Sequence, residues 1–417
     1  MKKFKSIIVE NNLIGIFYKA EELVSIQMNS LERVKAAIYF SGPDKVPIIN
    51  FGKANSDVFP LLTLPSKEWN PGHAEDEVGL FPHEPLLDWK KPEWAKDPKY
   101  ENWQKLSREE IDEWGCIWDR DGTGLTMGHP GRASLTDWSN LDNYLERYTP
   151  DPEDKRKYSM FIKSSEALRG KKYIMALLGP YAPFMVACNM RGFQDFLIDH
   201  RRNPDKVKYL LSHLTEYFVK NMKAYIKFGG HPNGFIIYDD FGTQDNPFMN
   251  PKLFAKFYEP VYRTLYETAH ELKCEFHHHS CGKIDKIIPY LMEWGLDALE
   301  LDSPRMTGYP SLKPFRGKIM MWGCVNIQNI YPHGTPEECE REVWHMVRNL
   351  GTPEGGYGAY FYPQPSDIQV PKQNIQAFKK GLRKYGNYSE IPLHWWSYPI
   401  PNEWDDKIVP PVPPINA

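Results

Sequence analysis

Residues 234–281 read GFIIYDDFGTQDNPFMNPKLFAKFYEPVYRTLYETAHELKCEFHHHSC. The opening run, Gly234 to Gly242, is short, apolar and rich in β-formers, and it reads as a buried strand. Asn250-Pro251 then offers a helix cap and a first-turn proline, and the helical pattern runs to Leu272. A second strand follows in CEFHHHSC, residues 274–281. Strand, helix and strand in succession form a unit whose two strands lie parallel, joined by a right-handed crossover.

The same alternation extends in both directions. KYIMALLGPY (172–181) is a strand, and after an irregular stretch Asn203-Pro204 opens a helix that Gly229-Gly230 closes. Downstream come the helix KIDKIIPYLMEWG, stopped by Gly295, and the strands LDALELDSP and GKIMMWGCV. The helix GTPEECEREVWHMVRNLG carries Thr335 and Glu338 as a capping box, and YGAYFYPQP precedes a last helix from Pro371 to Tyr385. No strand leads into a Gly-x-Gly-x-x-Gly turn. With DKVPIINFG (44–52) and one more strand between residues 115 and 130, the set reaches the strand number of a TIM barrel. The expected class is therefore α/β, a (β/α)8 TIM barrel. Residues 1–28 read as an N-terminal extension, 53–115 as a long Trp/Pro-rich insertion over the barrel mouth, and 386–417 as a Pro-rich tail.

Bulk properties narrow the partners. The 417 residues are 41% hydrophobic and 25% charged, which describes a globular chain with a large core. Its 51 basic and 54 acidic residues are dispersed, so nucleic acid and anionic membrane are not expected and a small molecule is. The apolar run 174–188 contains Gly179, Pro180 and Pro183 and is shorter than the ~20 residues of a spanning helix. The start, MKKFKSIIVENNLIGIFY, lacks the pattern of a signal peptide. Six scattered cysteines fit reduced thiols and a cytoplasmic protein. The tail would pack on the surface or on a neighbouring subunit, which keeps a homodimer open.

In such a barrel, chemistry gathers where strands end. Those ends carry Asp239-Asp240, His277 to Cys281, Glu300-Asp302, Cys324 with Asn326 and Gln328, and Gln364 to Asp367. Alternation puts His277, His279 and Cys281 on one face and His278 and Ser280 on the other. Imidazole and thiolate suit zinc, and His279 with Cys281 could hold part of such a site, which needs a third ligand. Asp239 and Asp240 face opposite ways, so at most one enters the site directly, as base, ligand or partner of His279.

These motifs together resemble the uroporphyrinogen decarboxylase superfamily, which is built on (β/α)8 barrels and includes cobamide-dependent methyltransferases. The resemblance runs over residues 29–385, through NSLERVKAAIYFSGPDKVPI, DEWGCIWDRDG, MRGFQDFLIDHRRNPDKV, the 236–270 and 276–304 segments, WGCVNIQNIYPHGTPEECEREV and GGYGAYFYPQPSDIQVPKQNIQAF. The Arg-rich N-terminal signature of porphyrinogen decarboxylases does not occur; FGKANSDVF stands after Asn50. The methyltransferase branch implies zinc on His-x-Cys and a later Cys. His279 and Cys281 match the first two positions, while YPQPSDIQVP (362–371) replaces the third, leaving Cys324 or Asp240 as substitutes.

The resemblance implies methyl transfer between a small-molecule donor and a corrinoid (cobalamin) carried by a partner protein. An O-methyl substrate, such as a methoxylated arene, is the expected donor; a methylated-thiol reaction, a decarboxylase and a non-enzymatic corrinoid- or metal-binding accessory protein are the alternatives. The implied roles are Asp240 as acid/base or metal ligand, His279 and Cys281 as ligands, and Asp239 and His277 in support. Tyr238, Asn326, Gln328 and Gln364 would face substrate.

Overall fold

The structure, a computed structural model, describes residues 27–63, 81–82, 107–120, 128–159, 162–179, 181–400 and 405–413. One sheet carries eight strands: β1 Ile48–Ile49, β2 Val58–Leu62, β3 Tyr173–Leu177, β4 Gly234–Tyr238, β5 Glu275–His279, β6 Ala298–Glu300, β7 Met320–Gly323 and β8 Tyr357–Tyr360. The strand order is β1-β8-β7-β6-β5-β4-β3-β2, and every pairing is parallel. A sheet whose sequence order runs round so that first and second strands form its two edges is a nearly closed barrel.

Asp57 closes the gap between those edges. Its backbone N–H donates to Ile48 O at 2.7 Å, and its own carbonyl accepts from Tyr173 N at 3.0 Å. Its carboxylate accepts from Ile48 N at 2.9 Å, from Ser30 Oγ at 2.7 Å and from the buried Arg33 guanidinium at 2.7 Å. Ser30 and Arg33 belong to α1, Ser30–Ile38, opened by an Asn29/Glu32 capping box.

Six of the expected strands and the run at 44–52 are barrel strands, but the eighth is Val58–Leu62, inside the stretch read as insertion. Pro60 hides it, because a proline within an apolar run argues against a central strand. On β2 it is tolerated, since among the described residues only β3 pairs with it. Ile117–Arg120 is a strand too, yet it pairs antiparallel with Arg108–Ile111 and His129–Pro130 in a separate small sheet that also holds Phe81–Pro82. Residues 64–80 and 83–106 of the expected insertion, and 1–26 of the extension, lie outside the described residues.

The crossover helices follow their sequence signals: α2 Pro183–Arg191, α3 Pro204–Lys227, α4 Pro251–Glu271, α5 Pro336–Leu350 with the Thr335/Glu338 capping box, and α6 Lys372–Tyr385. The helix after β5 is shorter than its pattern, Ile288–Glu293, because Pro289 fits only a first turn. Residues 405–413 of the tail lie along α5: Arg341 donates to Val409 O at 3.0 Å and His345 approaches Pro410 O at 2.9 Å. No helix of the described residues is long and apolar enough to cross a membrane.

The barrel interior is packed rather than hollow. Gly358 sits beside Trp322, and a Cβ there would stand 2.2 Å from the indole, so only glycine lets that ring fill the centre. The Trp322 indole N–H donates to His277 Nδ1 at 3.1 Å. That fixes the tautomer: Nε2 carries the proton toward the Tyr173 oxygen at 2.8 Å, and Tyr173 donates to Glu275 at 2.9 Å. Burial pushes His277 down to about 4, so it stays neutral.

Candidate active site

Strand register brings the polar ends together. Tyr238, His279, Glu300 and Trp322 stand side by side across β4 to β7. The ladder continues one step past the strands: Asp239 N donates to His279 O and Ser280 N to Glu300 O, both at 3.0 Å. Just beyond, the loops after β4 and β5 touch at Gly242 and Gly282. Gly282 has φ +88°, and a Cβ on it would lie 2.1 Å from Gly242 O. This close approach sets Asp240 beside Cys281, whose N–H donates to Asp240 Oδ1 at 2.8 Å.

Around this contact stands one cluster. His279 Nε2 lies 3.4 Å from Asp240 Oδ1 and 3.5 Å from Cys281 Sγ. Two donor groups share His279 and fall within 4.8 Å limits: Asp240, His279 and Cys281, and His279, Glu300 and Asp302. Zinc bonded at about 2.0–2.3 Å in a tetrahedron keeps its ligand atoms roughly 3.3–3.7 Å apart. The imidazole-to-thiol and imidazole-to-carboxylate distances therefore fit an ion before any ion is placed. His279 Nδ1 is hydrogen-bonded to Glu300, the arrangement by which a carboxylate orients a metal-binding imidazole and leaves Nε2 free to ligate.

Charge points the same way. Three carboxylates and a thiol surround one imidazole, an excess that a divalent cation would balance. Burial, and then the charges of Asp302 and Asp240, push the Cys281 thiol well above its ordinary value, so it is not a thiolate on its own. Burial alone would lower His279, but Glu300, Cys281, Asp240 and Asp302 together hold it well above the usual imidazole range. Burial would raise Asp240, but its bonds to His279 and to the Cys281 amide hold it below the usual carboxylate range. Glu300 and Asp302 are both raised by burial.

The other sequence-predicted residues separate clearly. Tyr238 borders the cluster, its ring 5.0 Å from that of His279. Asp239 turns away from it: its carboxylate accepts from Phe184 N at 3.1 Å, Met185 N at 2.7 Å and Tyr262 Oη at 2.6 Å, capping the first turn of α2. His277 lies beneath Trp322, fully buried. Asn326 is also fully buried and spends its side-chain oxygen on the amides of Gln328 and Asn329, at 3.0 and 2.8 Å. Gln328 and Gln364 are exposed on the loops after β7 and β8. Cys324, considered for the third-ligand place, is buried and belongs to neither donor group, and its backbone N–H donates to Asp302 O at 2.8 Å.

Glu300 and Asp302 have the positions that no sequence motif assigned. Their only signal was that LDALELDSP ends in carboxylates; which histidine they meet depends on strand register. Tyr181 also borders the site: burial, and then Asp240, raise its phenol. Trp118 of the small sheet stacks on Tyr181 with centroids 5.2 Å apart, so that sheet reaches the barrel mouth.

A parallel eight-stranded barrel with metal-spaced donors at its carboxyl end describes a class of enzyme-like scaffolds. The comparison of sequences places it: the Uroporphyrinogen decarboxylase (URO-D) profile matches residues 122–359, and the chain belongs to that family. A methylated-thiol–coenzyme M methyltransferase from Methanosarcina mazei is 23% identical over 208 residues, 49% of this chain and 51% of the relative. The chain thus spans about half the length of the curated relative it matches. Among solved structures, a methyltransferase from Methanosarcina mazei superposes with a TM-score of 0.52 at 16% identity, covering 86% of this chain and 99% of that chain, a likeness of fold.

Proposed function

We propose that this protein is a methyltransferase that moves a methyl group between a small O-methyl substrate and a corrinoid on a partner protein. The observation that carries the reading is the spacing of Asp240, His279 and Cys281 at the barrel mouth, together with the family. Zinc, when bound there, would supply a Lewis acid for the substrate oxygen. The reduced corrinoid would supply the nucleophile that accepts the methyl group.

The chain's own residues do the rest. Glu300 holds the His279 ring in register. Asp240 keeps a third of its side chain exposed and is held below the usual carboxylate range, so it stays an ionised carboxylate that can meet the ion on one side and substrate on the other. Tyr238 and Tyr181 offer flat apolar faces beside it, and Trp118 backs Tyr181 from the small sheet.

Asp240 as a hard oxygen ligand beside a single thiol makes the ion harder than one held by two thiolates, which favours an oxygen leaving group. A methylated thiol is the second reading, favoured by the name of the Methanosarcina mazei relative. A porphyrinogen-type decarboxylation is disfavoured, because a cluster of carboxylates repels acidic arms that the missing arginines would otherwise bind.

The test mixes the protein with cob(I)alamin and separate methoxyarenes, methyl thioethers and methylamines and follows the cobalt spectrum. Loss of cob(I)alamin with methoxyarenes supports the reading. Reaction with thioethers alone supports the second one, and silence with every compound contradicts both.

A further inference from the structure

At the opposite end of the barrel, ahead of β7 and β8, lies a cavity of about 370 Å³ lined by Lys313, Arg316, Arg348, Thr352, Trp396 and Tyr398 among others. Among the described residues, none of its cations is in an ion pair with a carboxylate. Arg316 donates to two neutral carbonyls, Gly351 O at 2.7 Å and Trp396 O at 3.1 Å. Arg348 is 5% exposed, reaches only the Asn349 amide oxygen at 3.4 Å, and has an Nε with no partner among the described residues. Burial, and then the charge of Arg316, lower Arg348 to about 10, and the carboxylate acting on Arg316 is that of exposed Glu354. The Tyr388 ring lies 5.6 Å from Trp396, and its buried hydroxyl also has no partner among the described residues.

A buried guanidinium with an unused donor is costly unless an acceptor completes it. Among the described residues, two guanidinium groups and an ammonium set against one exposed carboxylate leave an excess of two positive charges. We propose that this cavity is a binding site for a dianionic phosphoryl group, held by Arg348 and Arg316 with Lys313 at the entrance. A phosphoryl group matches both the excess charge and the forked guanidinium donors, whereas a carboxylate balances only half of it. Trp396 and Tyr398 give room for an aromatic or sugar-like substituent on that phosphoryl group.

Calorimetric titration of the full chain with inorganic phosphate, phenyl phosphate and benzoate tests this, with Arg348→Met and Lys313→Met alongside. Wild type should bind phosphate with a millimolar or tighter constant, Arg348→Met should lose about tenfold, and exposed Lys313→Met about threefold. Lys313→Met keeps the test valid if the buried substitution disturbs folding. Tighter binding of phenyl phosphate supports a phosphorylated organic ligand; equal binding supports free phosphate. Absence of phosphate binding at about 20 mM, binding unchanged in both variants, or benzoate bound as well as phosphate would overturn the assignment.

Discussion

Glu300 never touches solvent, and its partner is the imidazole that the proposed metal needs. Its removal separates orientation from ligation. Glu300→Gln keeps the shape and one acceptor but loses the charge, so zinc affinity should fall about 10- to 100-fold, with the fold intact. Competition against a chromogenic chelator, with a circular dichroism control, measures it. His279 and Cys281 were legible because period-two alternation places i and i+2 on one face. Glu300 and Asp302 were not, because their meeting with His279 depends on pairing between β5 and β6. Cys324 stands outside both donor groups, which residue type and strand end alone do not reveal.

At the scale of elements, the paired aspartates show how one strand end serves two structures. Asp240 faces the mouth while Asp239 caps α2 from behind the sheet. Asp239→Ala leaves two buried amides and the Tyr262 hydroxyl without their acceptor. We expect a loss of about 2–4 kcal/mol in chemical denaturation, with methyl transfer falling only in proportion to folded protein. The C-terminus of α4 offers a pH-dependent contact: His270 Nε2 lies 2.8 Å from Asp297, whose carboxylate also accepts from Phe276 N at 2.7 Å. The bond to Asp297 raises His270 above its ordinary value against the lowering effect of burial. The protonated pair thus contributes fully below about pH 6.5, and the contribution fades as pH rises through the raised value. His270→Gln should cost a few tenths of a kcal/mol at about pH 6 and almost nothing at about pH 9, the small size reflecting solvent screening. Helix starts were the most readable elements, because Asn250-Pro251 and Thr335 to Glu338 carry their own capping chemistry, while at Asn203-Pro204 the proline alone marks the start, the Asn203 side chain turning to Asp199 instead. β2 was the least readable, because Pro60 looks like a strand breaker until its edge position is known.

For the molecule as a whole, the barrel depends on one clasp. Asp57 joins β1 to β2 and anchors α1 through Arg33, which Asp44 also holds at 2.7 Å. Asp57→Ala leaves a buried guanidinium and the Ile48 amide short of partners. A loss of about 3–5 kcal/mol is expected, read as a lower urea midpoint at unchanged slope. The fold class was legible because six strands recur in order with helices between most of them, no Gly-x-Gly-x-x-Gly turn marks a doubly wound sheet, and the run at 44–52 with one more strand brings the number to that of a ring. The mouth was legible only in part: which residues face it follows from alternation, but which of them pair follows from closure of the whole ring.

The central claim is that Asp240, His279 and Cys281 share one zinc ion at that mouth. Zinc-edge X-ray absorption on protein reconstituted with one equivalent of the metal tests it most directly. The account predicts about one sulfur at ~2.3 Å with nitrogen and oxygen at ~2.0–2.1 Å, and loss of the sulfur shell in Cys281→Ala. A shell of oxygen and nitrogen alone, or a sulfur shell that survives in Cys281→Ala, would contradict it.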